Sequence, residues 1–204
     1  MLAYRRRRRN LARRTGLAVY WGRLEMRKLA ALVLKLFALG ALVAATATWH
    51  HVRIRDFLTL VYDSLLKKLP KRLRKHEWRV RSSLLQLYFD SPAVHYEVWV
   101  QHKTRALEIG LHFEGEQEEN YRWAAALAPR ALEIQAQLGP NVELEEWTRR
   151  WTRLHESRPL DPDPKRPVSA SLTPQVAKEV AERLARYIEV LEPILAEERE
   201  GAAG

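Results

Sequence analysis

The sequence predicts an α+β fold, in which a small antiparallel sheet packs against helices. The sheet is expected to contain a hairpin over residues 94–114 and one or two short strands within residues 142–157. Alternation of apolar and polar residues predicts the hairpin, because successive side chains of a strand point to opposite faces. Apolar residues at three- and four-residue steps near the C-terminus predict a long helix that covers the sheet. Basic amphipathic helices and an apolar N-terminal helix are expected to precede these elements.

Charge divides the 204 residues into two unlike halves. Residues 1–105 hold 23 Lys and Arg against 6 Asp and Glu, whereas residues 106–204 hold 12 against 19. A basic end favours an anionic partner, either the phosphates of nucleic acid or anionic membrane lipid. The absence of Cys excludes disulfides, thiolate metal sites and a thiol nucleophile. The expected organisation is a basic disordered arm over 1–28, an apolar helix over 29–49, basic amphipathic helices over 52–89 and an α+β domain over 90–198.

The apolar run Leu29–Trp49 contains a single charge, Lys35, and has three interpretations. A helix of this length, at about 1.5 Å per residue, is long enough to span a bilayer. The order of basic residues, apolar stretch and Ala45-Thr46-Ala47 is also that of a secretory signal, although Lys35 counts against it. The third interpretation is a start codon set too far upstream, or a buried helix of a soluble protein. A cytoplasmic or inner-membrane location is therefore expected ahead of export.

Two basic amphipathic helices are predicted after this run. The first, Asp56–Leu69, carries apolar residues at helical spacing and ends at Pro70. The second, over about Lys71–Phe89, is expected to bury one face and to present cations to phosphate or lipid. A solvated face that balances the acidic half is the alternative. The cations expected to bind the anionic partner are Lys71, Arg72, Arg74, Lys75, Arg79 and Arg81.

The predicted hairpin has a definite register and a polar face. When residues 102 and 105 flank its turn, Trp99 faces Glu108, His95 faces His112, and the aliphatic residues share one face. Two imidazoles with carboxylates nearby form a ligand set for a divalent metal. The alternative is the solvent side of an antiparallel sheet, where polar residues are usual. The candidate metal ligands are His95, Glu97, Glu108, His112 and Glu114.

The elements after the hairpin follow from caps, prolines and periodicity. Asn120 is expected to cap a helix that Pro129 kinks. Two short strands are predicted at Val142–Trp147 and Trp151–Ser157, with a helix as the alternative. Thr173-Pro174 is expected to cap and open the long terminal helix.

Four strings follow one another ahead of the long terminal helix: ALEIGLHFEGEQEENYRW, IQAQLG, VELEEW and TRLHE. In this order, residues 94–196 resemble an uncharacterised bacterial α+β domain found at the C-terminal end of some restriction-endonuclease-like proteins. The resemblance implies an accessory domain that works in nucleic-acid or defence contexts, and it supplies no catalytic residues.

Catalytic motifs are missing from the sequence. No glycine-rich phosphate loop, G-x-S-x-G elbow or H-E-x-x-H pair is present. A restriction-type nuclease needs Asp/Glu-x-Lys on a strand, and the matching letters Asp163-Pro164-Lys165 lie in a proline-rich loop. The sequence therefore favours a non-catalytic binding or accessory protein without a cofactor, whose partner is nucleic acid, anionic lipid or another protein. The alternatives are a single-span membrane protein with a cytoplasmic or exported α+β domain, and a divalent-metal-dependent nuclease-like enzyme.

Overall fold

The structure is a computed structural model, and it describes residues 53–203. The basic arm expected over 1–28 and the apolar helix expected over 29–49 lie outside the described residues. The helices are α1 (Ile54–Lys68), α2 (Gln117–Leu127), α3 (Ala131–Leu138) and α4 (Pro174–Ala203). The strands are β1 (Glu77–Arg81), β2 (Leu84–Tyr88), β3 (Val94–Gln101), β4 (Ala106–Phe113), β5 (Glu143–Glu146) and β6 (Thr152–Pro159). Short 3-10 helices lie at Lys71–Leu73, Ala128–Arg130 and Val168–Ser171.

The six strands form one open antiparallel sheet in the order β1-β2-β3-β4-β6-β5. The predicted hairpin is confirmed as β3 and β4, with Trp99 opposite Glu108 and His95 opposite His112. The two short strands expected after residue 142 are confirmed as β5 and β6, although β5 lies outside β6 at the edge. The α+β class is therefore confirmed, and the sheet is larger than the sequence predicted.

The helix predicted over Lys71–Phe89 is wrong. A 3-10 turn over Lys71–Leu73 leads instead into the hairpin of β1 and β2. Trp78 and Val80 on β1 pair with Leu87 and Leu85 on β2, so the same apolar residues satisfy a period of two. The connection is Ser82-Ser83, where Ser82 adopts φ 43° in the left-handed region. Pairing of β2 with β3 favours the strand conformation of this segment. The local sequence pattern cannot predict this pairing, because it depends on residues outside the segment.

One face of the sheet is aliphatic and packs against the helices. Tyr96 donates its hydroxyl hydrogen to Glu192 of α4 at 3.0 Å. Phe113 stacks on Trp123 of α2 at 6.0 Å between ring centroids. The β3 and β4 residues of this face are all buried, and each such side chain contributes about 1.5–3 kcal/mol to stability. The residues are Val94, Tyr96, Val98, Val100, Leu107, Ile109, Leu111 and Phe113.

The ends of the helices mostly agree with the sequence prediction. The first amphipathic helix is confirmed as α1, and Thr173 caps α4 by accepting a hydrogen bond from the backbone of Val176 at 3.2 Å. Pro129 lies in the 3-10 turn that separates α2 from α3, as the expected kink. Asn120 does not cap α2, because the helix begins three residues earlier; its side chain instead bonds Gly115 and the carbonyl of Arg150. Within residues 53–203, no helix combines the length and apolar character that a membrane span requires.

Gly110 sets the closest approach between β4 and β6. It lies opposite His155, and a Cβ at this position would meet the His155 Cβ at 2.7 Å and the Leu154 carbonyl oxygen at 2.8 Å. Both contacts are too short for real atoms, and the carbonyl belongs to the backbone. Any larger residue must therefore push β4 and β6 apart.

We expect Gly110→Ala to lower the free energy of unfolding by about 1–3 kcal/mol, the usual cost of overpacking. Urea unfolding followed by circular dichroism measures this change. Gly201→Ala in α4 is the matched control, because nothing lies within 4 Å of its added methyl group and alanine favours helix. Equal stability of the Gly110→Ala variant and the parent would contradict the close approach.

Candidate functional site

The second face of the sheet carries polar side chains that are buried. The sequence left open whether this face is solvated, and the structure shows that its centre is not. Burial of charged groups is costly unless they are paired, so their contacts define the candidate site. The seven residues, here called the polar cluster, are Gln86, His95, Glu97, Glu108, His112, Arg153 and His155.

Glu108 holds the middle of the polar cluster. Both of its carboxylate oxygens accept hydrogen bonds from Nη1 of Arg153, at 2.8 and 2.9 Å, and Oε2 also accepts one from Gln101 at 2.6 Å. Burial alone would raise the pKa of the Glu108 carboxyl, but contact with His112 and the charges of His112, Arg153 and His155 lower it. The Arg153 guanidinium reaches on to Glu145 of β5 at 2.5 Å, so the pairing crosses three strands.

His112 is fully buried and has carboxylates at both ring nitrogens. Nε2 lies 3.2 Å from Glu108 Oε1 and Nδ1 lies 3.4 Å from Glu114 Oε1. Neither contact has the direction of a hydrogen bond, so both nitrogens lack a hydrogen-bond partner. Burial lowers the pKa of His112, but Glu108, Glu114 and the charge of Glu97 outweigh it and raise the pKa to about 9. The surroundings of this imidazole therefore attract positive charge.

His95 lies directly across the strand pair, with its ring stacked on His112 at 5.6 Å. Its Nδ1 donates to the carbonyl oxygen of Pro92 at 2.9 Å, so Nε2 of the neutral ring is an acceptor. The Gln86 side-chain amide stands 3.0 Å from that Nε2 and donates to Glu97 Oε2 at 2.8 Å. One amide group thus bridges the imidazole and the carboxylate.

Trp147, in the turn between β5 and β6, covers part of the polar cluster. Its ring centroid lies 5.9 Å from that of His112 and 6.0 Å from that of Trp99. The Arg153 guanidinium carbon lies 4.9 Å from the centre of the same ring, a cation–π distance. The turn is held by the Trp147 backbone nitrogen, which donates to the Trp151 carbonyl at 3.0 Å.

The structure brings four of the five predicted metal ligands together. His95, Glu97, His112 and Glu114 each offer one ligand atom, and these atoms lie within 4.8 Å of one another. The fifth, Glu108, pairs with Arg153 beside them. The residues that surround these ligands were not identified from the sequence. Arg153 and His155 alternate with Leu154 in β6, and this alternation could have placed them on the polar face. Gln86 could not be placed, because it lies in the segment that was wrongly predicted as a helix. A second group, Glu143, Glu145 and His155, lies on β5 and β6.

The six residues predicted to bind an anionic partner lie at the β1 edge of the sheet and in the segment that leads into β1. Lys71 and Arg72 are on the 3-10 turn, Arg74 and Lys75 follow it, and Arg79 and Arg81 are on β1. They do not share a helix face. Five are exposed, and Arg79 is half-buried with its Nε donating to Gln86 at 2.7 Å. These six residues are called the basic strip below.

The basic strip gathers six cations that have no carboxylate partner among the described residues. Among residues 53–203, none of its six side chains forms an ion pair. Trp78 lies between Lys75 and Arg79 in the sequence, is 41% exposed and stacks on Tyr62 of α1 at 3.8 Å between ring centroids. Elsewhere, paired guanidinium groups are common, as at Arg130, Arg153, Arg158, Arg166, Arg183 and Arg199.

No protein-family model matches this chain, and neither a curated protein nor a solved structure is similar to it at a significant level. The sites are therefore interpreted from their own chemistry.

We expect Arg153→Met to lower the free energy of unfolding by about 3–5 kcal/mol, because it leaves the buried Glu108 carboxylate without its cation. Adding Glu108→Gln should restore part of this loss, since the unpaired charge is then gone. Urea unfolding of both single variants and the double variant measures the coupling. Arg158→Met is the matched control: its pair with Glu179 is about half exposed and screened by solvent, so we expect a much smaller loss. Equal losses for the two arginine variants would contradict the central role of Glu108.

Proposed function

We propose that this protein binds nucleic acid through the basic strip, with contacts to phosphates rather than to base edges. The observation that carries the proposal is a set of exposed cations at one edge of the sheet that have no carboxylate partner within residues 53–203. Lys71, Arg72 and Lys75 make no side-chain hydrogen bond to another described residue either. Such cations gain most from phosphate contacts, because binding releases condensed counterions and breaks no existing pair.

The distribution of charge supports the strip as the anion-binding surface of this part of the chain. Eleven of the 35 Lys and Arg and one of the 25 Asp and Glu lie in residues 1–52, so residues 53–204 hold 24 of each. Positive charge is therefore not a general property of residues 53–204, and its excess is local. A local basic patch on a balanced surface is the electrostatic footprint of a phosphate-binding site.

Trp78 favours nucleic acid over a membrane surface. A membrane-bound surface combines cations with several apolar side chains that enter the acyl region. Among the described residues, the large apolar side chains that are exposed are Trp78, Tyr121 and Leu132, and Trp78 alone is next to a residue of the strip. A single ring held by Tyr62 is instead suited to stacking on an unpaired base. The resemblance of residues 94–196 points to the same class of partner.

Reversal of three charges in the strip should weaken nucleic-acid binding and its dependence on salt. We expect Lys71→Glu/Arg72→Glu/Lys75→Glu to lower affinity at least about tenfold and to reduce the slope of log affinity against log salt by about 2 to 3. Fluorescence anisotropy with a labelled oligonucleotide at several salt concentrations measures both. The full chain is used throughout, so that the cations of residues 1–52 contribute equally to parent and variants.

The matched control is Lys103→Glu/Arg149→Glu/Lys165→Glu, which makes the same change in net charge at exposed positions outside the strip. Equal effects of the two triple variants would mean that only net charge matters and would contradict the proposal. Binding to anionic vesicles should be measured for the same strip variant and for the parent. Loss of vesicle binding with oligonucleotide binding unchanged would make lipid the partner.

Trp78→Ala should weaken binding to single strands more than binding to duplex, because bases within a duplex are already stacked. We expect a loss of about 1–3 kcal/mol for a single-stranded oligonucleotide. Anisotropy titrations with single-stranded and duplex oligonucleotides give the comparison. Trp78→Phe should retain part of the affinity for single strands, because a phenyl ring can still stack on a base. An equal loss on duplex and single strand would assign Trp78 to the packing of β1 instead.

A further inference from the structure

We infer that His95, Glu97, His112 and Glu114 form a binding site for one divalent transition-metal ion of the zinc class, separate from the basic strip. Two facing strands supply the ligands: His95 and Glu97 alternate along β3, while His112 and Glu114 alternate from the end of β4. All four side chains project to the polar face. The inference does not rest on nucleic-acid binding.

Two of the distances within this group match the separation of metal ligands. His95 Nε2 lies 3.5 Å from Glu97 Oε2, and His112 Nδ1 lies 3.4 Å from Glu114 Oε1. Ligand atoms at about 2.0–2.2 Å from a tetrahedral zinc ion are separated by about 3.3–3.5 Å. Each imidazole–carboxylate pair therefore has the spacing of one edge of the tetrahedron. Small side-chain rotations bring the two pairs, which lie within 4.8 Å, around one ion.

Neighbouring groups hold both imidazoles as metal-binding histidines are usually held. The second ring nitrogen of a metal ligand typically contacts a backbone carbonyl or a carboxylate. Nδ1 of His95 donates to the Pro92 carbonyl, and Nε2 of His112 faces Glu108 at 3.2 Å. Glu108 is in turn fixed by Arg153, so this outer carboxylate has little freedom to turn into the site.

His112 supplies an independent reason to expect a ligand. It is fully buried, and Nδ1, which faces the group, has no hydrogen-bond partner. Buried polar atoms in proteins nearly always have a partner, so an orphan of this kind calls for one. A metal ion bound at Nδ1 provides it, and the carboxylates of Glu97 and Glu114 balance its two positive charges.

The four ligands indicate a structural metal rather than a catalytic one. Catalytic zinc sites leave a coordination position open, whereas structural sites are closed by four protein ligands. His95, Glu97 and His112 are buried, and the Glu114 side chain is 22% exposed, which marks the side from which an ion enters. The Gln86 amide donates to Glu97 and contacts His95, so it must turn away when the ion binds.

The test uses the full chain after treatment with a chelator. Binding of Zn²⁺ is measured by isothermal titration calorimetry, and binding of Co²⁺ is measured by visible absorption. We expect one Zn²⁺ per chain and the intense cobalt bands of tetrahedral coordination. Zn²⁺ should also raise the unfolding temperature, because it binds only the folded chain. Glu114→Gln, at the strand end, should weaken binding about tenfold or more. His95→Asn should abolish it, and Gln86→Ala should leave it intact or strengthen it.

Two matched controls separate this site from other ligands in the chain. Glu143→Gln removes a ligand of the second group on β5 and β6, and His50→Ala/His51→Ala removes the adjacent histidines of the N-terminal region; both variants should bind Zn²⁺ like the parent. The inference is overturned by absence of Zn²⁺ binding to the parent, by unchanged affinity of the folded Glu114→Gln variant, or by loss of binding in either control. Circular dichroism of each variant confirms that it is folded.

Discussion

The paired charge of Glu108 is the constraint on which the rest of the sheet depends. Its carboxylate lies almost fully buried at the centre of six strands, where an unpaired charge costs several kcal/mol. Arg153 compensates for it only when β6 lies beside β4 in the observed register, with Arg153 opposite His112. A slip of one residue would send the guanidinium to the helix-covered face. The same pair therefore fixes the register, the position of the Trp147 turn and the orientation of His112.

The two faces of the sheet divide stability from chemistry. The aliphatic face packs against α1, α2 and α4, and together they form the hydrophobic core. The polar face keeps two imidazoles and several carboxylates in fixed positions, which is costly for stability and is typical of sites that bind something. The basic strip lies at the β1 edge and is joined to the polar cluster by the hydrogen bond from Arg79 to Gln86. The hydrogen bond between Arg79 and Gln86 would thus connect a nucleic acid bound at β1 with a metal ion bound near Gln86.

Local sequence pattern predicted the elements whose period is unambiguous. Alternation over Val94–Glu114 gave the hairpin and its register, and Thr173 gave the start of α4. The failure at Lys71–Phe89 arose because the apolar residues there satisfy both a helical and a strand period, and pairing with β3 decides between them. The candidate metal ligands could be predicted because the cross-strand register of one hairpin places their side chains on the same face. Burial of that face was not foreseeable, since it depends on Arg153 and Trp147, which come from strands and turns some forty residues away.

The most direct test of the account is the position of a bound ion on the polar face. Crystals of the full chain grown with one equivalent of Zn²⁺ would be measured on both sides of the zinc absorption edge. The account requires an anomalous peak between His95 and His112, about 2.0–2.2 Å from their ring nitrogens and from the Glu97 and Glu114 oxygens. The Gln86 amide should have moved away from His95. A peak confined to Glu143, Glu145 and His155, or no zinc on this face with the Gln86 contacts unchanged, would contradict it.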